Sequence, residues 1–435
     1  MPTVAVAVHD GFYGCGTGAG YANFGTLRTL TDLLPTDVRL VILPLWLDRS
    51  SPERHPDWHA RARSGLRRAT ILPVGNGTGG QDRWGGLNNF RHLVQMTADR
   101  LQTVRRSSGP LLLIIAFDVP FLGLGSALSP DLAPHLVLAP RSSAAIHAPH
   151  DLERRAWERE GLLAAAARGA RIAAISPFMA DHLHCEYDVP REAMAAMPDG
   201  LTDDDWRGYG DTAALDLPPF VFSMGRAEPY KGFDDLLDAW DLLEREAVPL
   251  PLLILAATSE SPKPTPYQNA LRARAGRLTS PVRLLTQFTP DVAQLLRHPG
   301  LRSVVVPSHA EPFGRIPMEA FAAGAAPVIT TTGQGLGGQI RDGSTGFLCA
   351  PKSPPSLAAA LRRALEMSAD QRLSMRNRAR QVALRDYDHP AALRTFLAQA
   401  APWLKLRGWD DRLRWRSTAP PVAHPEEARA HHASG

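Results

Sequence analysis

The stretch that decides the fold reads FVFSMGRAEPYKG and runs from Phe220 to Gly232. Its first residues are aromatic or β-branched, as in a buried strand, and a polar turn follows them. Beyond the turn, apolar residues recur at helical spacing, namely Leu236, Leu237, Trp240 and Leu243. The stretch therefore predicts a strand, a turn and an amphipathic helix, which is the repeating unit of a parallel α/β sheet.

Two cations, Arg226 and Lys231, flank this strand-to-helix turn. The lysine is an uncommon choice, because the chain holds 48 basic residues but only four lysines: Lys231, Lys263, Lys352 and Lys405. Cations beside a helix N-terminus favour a polyanion, since the free N–H groups and the helix dipole already attract negative charge. The turn predicts a diphosphate site. The structural alternative is an exposed turn in which Arg226 pairs with Glu228 or with solvent and Lys231 is a plain surface lysine.

Short apolar runs alternate with longer helical stretches through both halves of the chain. Predicted strands cover residues 4–8, 38–43, 111–117, 136–139 and 171–175, then 220–224, 252–256, 282–285, 303–306 and 326–329. Residues 151–167 read as a helix, and the acidic Asp203–Asp205 with the prolines at 218 and 219 reads as a linker. We therefore expect two doubly wound domains, followed by a disordered tail over 406–435.

Composition excludes several classes of protein. The 435 residues are 44% hydrophobic and 21% charged, with a net charge of +4, which is typical of a globular chain without a strong nucleic-acid footprint. The longest apolar run, residues 111–117, is too short to span a bilayer, and no secretory signal is recognisable, so we expect a cytoplasmic protein. Three scattered cysteines predict neither a disulfide framework nor a zinc site.

A glycine-rich turn, GFYGCGTGAG over residues 11–20, follows the first strand. Glycines let backbone N–H groups approach phosphate oxygens, so this turn predicts an anion cradle that includes Gly16 and Gly18. A purely steric need for glycine is the alternative. Ligands of doubly wound sheets lie beyond the carboxyl ends of the strands, where this turn is placed.

A second candidate segment, PSHAEPFGRIPMEAF over residues 307–321, follows a strand of the second half. Pro317 suits the first turn of a helix, which places Glu319 in that turn. A carboxylate there can accept hydrogen bonds from vicinal hydroxyls, or it can simply complement the helix dipole. Glu311 lies in the loop before the helix and is expected to reach a ligand, or else to be an exposed loop acid.

These residues resemble a known family. Gly225-Arg226 with Lys231-Gly232, the block from Glu311 to Ala320, and Asp342-Gly343 through Leu348 are together similar to the retaining, nucleotide-sugar-dependent glycosyltransferases of group 1, or family 4. The resemblance spans most of the chain. It implies the GT-B architecture, an α/β fold in which two Rossmann-like doubly wound domains face each other across a cleft, and glycosyl transfer of the EC 2.4 type.

The resemblance also implies roles for the domains. Residues 1–205 would bind the acceptor, residues 206–389 would bind the nucleotide sugar, and a helix over 390–405 would cross back to the first domain. No metal and no cofactor are expected, because protein cations would stabilise the leaving diphosphate. That diphosphate would itself take the proton of the acceptor hydroxyl on the same face of the sugar.

Site residues follow from the resemblance position by position. Arg226 and Lys231 would hold the diphosphate, Glu319 the ribose and Glu311 the donor sugar. A histidine facing the donor sugar is expected at His147, with His150 as its rival. The remaining expected donor contacts are Gly16, Gly225, Phe313, Gly314 and Ile316, and the expected acceptor contacts are Gly18 and His150.

Three other functions compete with this one. A nucleotide-sugar epimerase would need a similar cradle but several acid–base groups around one sugar. A nucleic-acid binder would need a basic stripe with interleaved aromatics. A membrane-peripheral enzyme with a lipid-linked acceptor could use the arginines between Arg61 and Arg68. The polar, glycine-rich loops at residues 75–80 and 84–89 favour a polar, sugar-like or small natural-product acceptor. The nucleotide, the sugar and the acceptor themselves are left open.

Overall fold

The computed structural model describes residues 1–208, 215–289, 291–325 and 327–407. The predicted disordered tail lies outside the described residues from residue 408 onward. The described residues form two compact units, here called the N-terminal unit and the C-terminal unit. The first comprises Met1–Gly200 together with residues 389–407, and the second comprises Leu201–Asp388.

The strands of each unit form one parallel sheet. The N-terminal unit has strand order β3-β2-β1-β4-β5-β6-β7, and the C-terminal unit has order β10-β9-β8-β11-β12-β13. The strands are β1 Thr3–Val8, β2 Arg39–Pro44, β3 Thr70–Ile71, β4 Leu111–Phe117, β5 Leu136–Ala139, β6 Arg171–Ala174, β7 Met194–Ala196, β8 Phe220–Arg226, β9 Leu252–Thr258, β10 Val282–Leu285, β11 Leu301–Val306, β12 Val328–Thr331 and β13 Gly346–Cys349.

Helices connect successive strands. They are α1 Gly18–Leu33, α2 Pro56–Gly65, α3 Leu87–Ser108, α4 Leu124–Ala127, α5 Ala144–His147, α6 Leu152–Ala167, α7 Pro177–Tyr187, α8 Asp203–Gly208, α9 Phe233–Arg245, α10 Pro266–Ala275, α11 Val292–Arg297, α12 Ile316–Ala323, α13 Gln334–Gly337, α14 Pro354–Leu365, α15 Ala369–Asp386 and α16 His389–Ala400.

The strand orders confirm two Rossmann-like doubly wound units of the α/β class. In each sheet the order reverses once, between β1 and β4 in the first and between β8 and β11 in the second. Such a switch point leaves room for a ligand between the loops that follow the two strands. The residues that follow β1, β4, β8 and β11 are therefore the candidates for ligand binding.

The acidic run Asp203–Asp205, interpreted as part of a linker, forms the first turn of α8. Asp205 is buried and accepts hydrogen bonds from the backbone N–H and the hydroxyl of Thr202, which holds the start of the helix. The division between the units falls after Gly200, five residues before the boundary expected at 205.

The last helix, α16, belongs to the N-terminal unit. Its Leu393, Phe396 and Leu397 are fully or almost fully buried in the same core as Leu27 and Leu30 of α1. Because that core also contains the inward residues of the central strands, α16 is part of what stabilises the sheet edge where the loops meet.

We predict that Phe396→Ala lowers the free energy of unfolding of the N-terminal unit by about 3 to 5 kcal/mol, because it opens a cavity in this core. Gln399→Ala, at an exposed position of the same helix, is the matched control and should change it by less than about 0.5 kcal/mol. Urea unfolding followed by tryptophan fluorescence measures both. Equal, small effects of the two variants would show that α16 is not packed in the core.

Candidate functional site

An ion pair lies at the switch point of the C-terminal unit. Lys231 is in the turn after β8, and Glu311 is in the loop after β11. The ammonium of Lys231 donates to the carboxylate of Glu311, and the two side chains are 13% and 14% exposed. The fold thus brings together two residues that are 80 positions apart in the chain, both of them predicted site residues.

Arg226 stands beside this pair at the end of β8 and is exposed. Its guanidinium donates to the hydroxyl of Tyr230 over 2.6 Å, rather than pairing with Glu228 as the structural alternative proposed. The Lys231 Nζ lies 5.2 Å from the centroid of the Tyr230 ring. Tyr230 therefore contacts both cations and orients them at one turn, together with Gly225, which precedes Arg226 in the strand.

The loop after β11 is fastened to the turn after β8 by a second pair. The Nε2 of His309 lies 2.6 Å from a carboxylate oxygen of Asp235, and the His309 backbone N–H donates to the Tyr230 carbonyl over 2.7 Å. Asp235 is in the first turn of α9, as is Asp234. Two carboxylates therefore already complement the dipole of α9, so the attraction of this turn for an anion depends on Arg226 and Lys231.

Two glutamines that sequence reasoning missed shape the Glu311 loop. The side-chain oxygen of Gln334 accepts the backbone N–H of Glu311 over 2.6 Å. The side-chain nitrogen of Gln339 donates to the carbonyls of Phe313 and Gly314 over 2.6 and 2.8 Å. In the sequence, the glycine-rich run from residue 333 to 338 indicates a close approach of the backbone here. It does not show which side chains bond to the Glu311 loop.

Glu319 is placed as predicted, in the first turn of α12, which begins at Ile316 and has Pro317 at its start. Its carboxylate accepts from the Nε of Arg315 over 2.9 Å, and Arg315 also contacts Asp205 over 3.2 Å. Burial raises the pKa of Glu319, Arg315 opposes that rise, and Asp205 adds to it. Contact of Glu319 with a ribose stays a prediction.

The glycine-rich turn of the N-terminal unit is filled by the protein's own carboxylate. An added Cβ at Gly20 would lie 2.4 Å from the Asp10 carboxyl carbon, and one at Gly11 would lie 2.2 Å from the Gly20 carbonyl oxygen. Asp10 also accepts from the hydroxyl of Thr17, the N-cap of α1, over 2.7 Å. Close packing around Asp10 thus explains these two glycines. Gly16 is buried before the cap and Gly18 is the exposed first residue of α1, and their ligand contacts stay predictions.

A buried charged network continues from Asp10 across the switch point between β1 and β4. Arg83 pairs with Asp10 over 2.7 Å, with side chains only 2% and 4% exposed. Asn23 donates to the Asp10 carbonyl and, over 2.8 Å, to the carboxylate of Asp118. Burial raises the pKa of Asp118 to about 6, against the opposing charge of Arg141. No periodic pattern in the sequence indicates this network, because Asn23 lies on α1 while its partners lie in separate loops.

The two candidate histidines are both exposed. His147 is the last residue of α5, and His150 follows three positions later. The start of α5 is held by Glu158, whose carboxylate accepts the Ala144 backbone N–H over 2.8 Å. The structure therefore fixes the segment that carries His147 but does not choose between the two histidines, and their roles stay predictions.

The described residues contain neither a metal-binding cluster nor a membrane-spanning helix. In that part of the chain no three His, Cys, Asp or Glu side chains are grouped so that they could hold a metal ion. None of the described helices is both long enough and apolar enough to cross a membrane.

Comparison with known proteins shows a family resemblance of the C-terminal unit. Residues 211–382 match the family model for glycosyl transferases group 1. The match lies within the C-terminal unit and covers less than half of the chain. A glycogen synthase of Mycobacterium tuberculosis is 33% identical over 173 residues, 39% of this chain and 39% of the relative. A D-inositol 3-phosphate glycosyltransferase of Streptomyces avermitilis is 29% identical over 269 residues, 58% of this chain and 52% of the relative.

The curated relatives thus share only part of their length with this chain, which spans about two fifths to one half of them. Among solved structures, Anabaena HepE in complex with UDP-glucose covers 92% of this chain and 99% of its own, with a TM-score of 0.66 and 17% identity. At that identity the likeness concerns the fold alone. It extends over both Rossmann-like units, of the kind that make up GT-B glycosyltransferases.

We predict that Asp118→Asn removes part of the pH dependence of stability. The native state holds a proton on Asp118 up to about pH 6, whereas the unfolded chain releases it near 3.8. Rising pH through this window therefore destabilises the wild type but not the variant, by up to about 3 kcal/mol.

Urea unfolding at several pH values between about 4 and 7 measures this difference. Asp37→Asn, at an exposed aspartate of the same unit, is the matched control and should leave the pH dependence unchanged. A constant difference between wild type and Asp118→Asn across the window would show that Asp118 is ionised in the native state throughout it.

Proposed function

We propose that this chain is a retaining glycosyltransferase that moves a sugar from a nucleoside diphosphate sugar to a hydroxyl of a polar, sugar-like or small-molecule acceptor. The observation that carries the proposal is the group of Arg226, Lys231 and Glu311 at the switch point of a unit that matches the group 1 family model. Cations suit a diphosphate and a carboxylate suits sugar hydroxyls, so one turn and one loop offer both kinds of partner.

In this structure Glu311 neutralises Lys231. A diphosphate on Lys231 would take over that neutralising role, because its charge is larger than that of one carboxylate. Glu311 would then be free to accept hydrogen bonds from the donor sugar.

The reaction places negative charge where the cations are. The bond between the anomeric carbon and the diphosphate oxygen breaks, and a bond from the acceptor oxygen to the same carbon forms. The acceptor hydroxyl loses its proton to the leaving diphosphate. Arg226 and Lys231 stabilise the charge that grows on the diphosphate more than that of the ground state, so they lower the barrier, and our proposal needs no metal ion for this step.

The nature of the donor and of the acceptor is supported by different observations. HepE, which shares the fold, was solved with UDP-glucose, so uridine nucleotides are the first donors to test. The N-terminal unit presents polar, glycine-rich segments after β3, at residues 75–80 and 84–89, which favours a hydrophilic acceptor. We further propose that the enzyme works in the cytoplasm, where nucleotide sugars are made.

We predict that Arg226→Ala and Lys231→Ala each weaken the binding of UDP by about tenfold or more, because each removes a charge-assisted hydrogen bond to the diphosphate. Titration calorimetry with UDP measures the effect. Arg277→Ala and Lys263→Ala, at exposed positions of the same unit, are the matched controls and should bind UDP like the wild type. Equal binding by all five proteins would contradict the proposed diphosphate site.

Turnover separates the transferase from the epimerase. A transferase releases the nucleoside diphosphate only when it is given an acceptor hydroxyl, whereas an epimerase keeps donor sugar and nucleotide joined. Release of UDP from UDP-glucose that depends on an added sugar or small-molecule acceptor supports the proposal. Conversion of the donor into an isomer without release of UDP would replace it with the epimerase.

A further inference from the structure

Two exposed tryptophans stand at the carboxyl edge of the N-terminal sheet. Trp46 is 37% exposed and Trp84 is 41% exposed. Residues 75–86 are here called the Asn76 loop. Trp46 contacts this loop, and Trp84 belongs to it. Single exposed apolar residues are common on proteins, so exposure alone indicates nothing about function. What distinguishes these two rings is that the fold holds them in place.

The Asn76 loop is built around one buried side chain. The amide nitrogen of Asn76 donates to the carbonyls of Asp82 and Arg83 over 2.9 and 3.1 Å. Its amide oxygen accepts from the backbone N–H and the hydroxyl of Thr78 over 3.2 and 2.7 Å. Asn89 of α3 donates to the Asn76 carbonyl over 2.8 Å. The loop is therefore a fixed platform rather than a floppy connection.

Each tryptophan is fastened to this platform. The Trp46 backbone N–H donates to the Val74 carbonyl over 2.7 Å. Its ring lies against Gly80, where an added Cβ would meet it at 2.8 Å. The Trp84 backbone N–H is accepted by the carboxylate of Asp82 over 2.8 Å. The contact with Gly80 confines the Trp46 ring, and the bond to Asp82 fixes the backbone that carries Trp84.

The two rings also belong to neighbouring strands. Trp84 packs against His9 with 4.5 Å between ring centroids and an angle of 55° between the ring planes, and His9 directly follows β1. Val8 of β1 pairs with Pro44 of β2, so Trp46 leaves the sheet two residues beyond the same edge. Neighbouring strands are about 4.8 Å apart, which places the two tryptophans at one corner of the sheet.

A polar atom at this corner lacks a partner. The Nδ1 of His9 is buried and has no hydrogen-bond partner among the described residues, while its Nε2 is bonded to the Arg83 carbonyl over 3.0 Å. The residue is 4% exposed. Burial, aided by the charge of Arg83, lowers the pKa of His9 to about 3, so the ring is neutral. Because its Nε2–H donates to the Arg83 carbonyl, Nδ1 is an acceptor, and the group that suits it is a ligand hydroxyl.

Rigid aromatic faces, carboxylates and an unsatisfied imidazole suit one class of ligand. A sugar or cyclitol ring has an apolar C–H face that stacks on an indole and a rim of hydroxyls that needs polar partners. The exposed Gln81, Asp82 and Asn88 around Trp84 offer such partners, whereas a lipid chain would find no continuous apolar surface there. We propose that Trp46 and Trp84 form a subsite of the N-terminal unit that binds a hydroxylated ring of the acceptor.

That the bound ring belongs to an acceptor rests on the proposed function. Binding of a hydroxylated ring by the two tryptophans can be tested independently of it. The probes are maltose, trehalose and myo-inositol at millimolar concentration, followed by saturation-transfer difference NMR. The proteins are the wild type, Trp46→Ala, Trp84→Ala and the conservative Trp84→Phe. The matched control is Trp403→Ala, since Trp403 is also 37% exposed and belongs to the same unit.

The wild type should bind at least one probe, and Trp46→Ala and Trp84→Ala should each weaken that binding by about tenfold. Trp84→Phe should keep most of it, because a smaller aromatic face remains, and Trp403→Ala should bind as the wild type does. Unchanged far-UV circular dichroism and unchanged UDP affinity show that each variant is folded with its C-terminal unit intact.

Two results would overturn the inference. The first is that the wild type binds none of the three rings, and the second is that Trp46→Ala and Trp84→Ala bind them as well as Trp403→Ala does. If UDP binding persists in either case, the proposed function stands and only the aromatic subsite is refuted. If UDP binding fails while the tryptophan variants lose the rings, the proposed function is refuted and the subsite stands.

Discussion

Parallel pairing makes all the strands of a sheet end at one edge, and each group assigned to a ligand in this protein depends on that geometry. Lys231 and Glu311 are 80 residues apart, yet they meet because β8 and β11 are neighbours with the same direction. The reversal of strand order between them opens a space that the connecting helices do not fill. A charged lysine held by one carboxylate at that point is a site prepared for a larger anion.

The two switch points are used differently. In the C-terminal unit Arg226 is exposed and Lys231 is partly buried beside Glu311. In the N-terminal unit the corresponding position is closed by two buried carboxylates, Asp10, which pairs with Arg83, and Asp118, which accepts from Asn23. The same strand order therefore places a lysine–glutamate pair at the switch point of one unit and a closed, buried network of charged groups at that of the other.

Much of this could be predicted from the sequence. Apolar runs of four to seven residues predict the central strands well, because burial on both faces of a parallel sheet demands them. Short edge strands such as β3, β7 and β13 were missed, since two to four residues carry too little pattern. The positions of Lys231, Glu311 and Glu319 could be read from motifs, but their partners could not. Asp10 and Gln339 act through loops whose paths no periodicity encodes.

The central claim is that Arg226 and Lys231 bind the diphosphate of a nucleotide sugar. A crystal structure of the protein with UDP-glucose tests it most directly. The account predicts diphosphate oxygens within hydrogen-bond distance of both side chains, with the Lys231 ammonium moved from Glu311 to the phosphate and Glu311 facing the sugar. A nucleotide bound elsewhere, or one bound at this turn while Lys231 stays paired with Glu311, would contradict it.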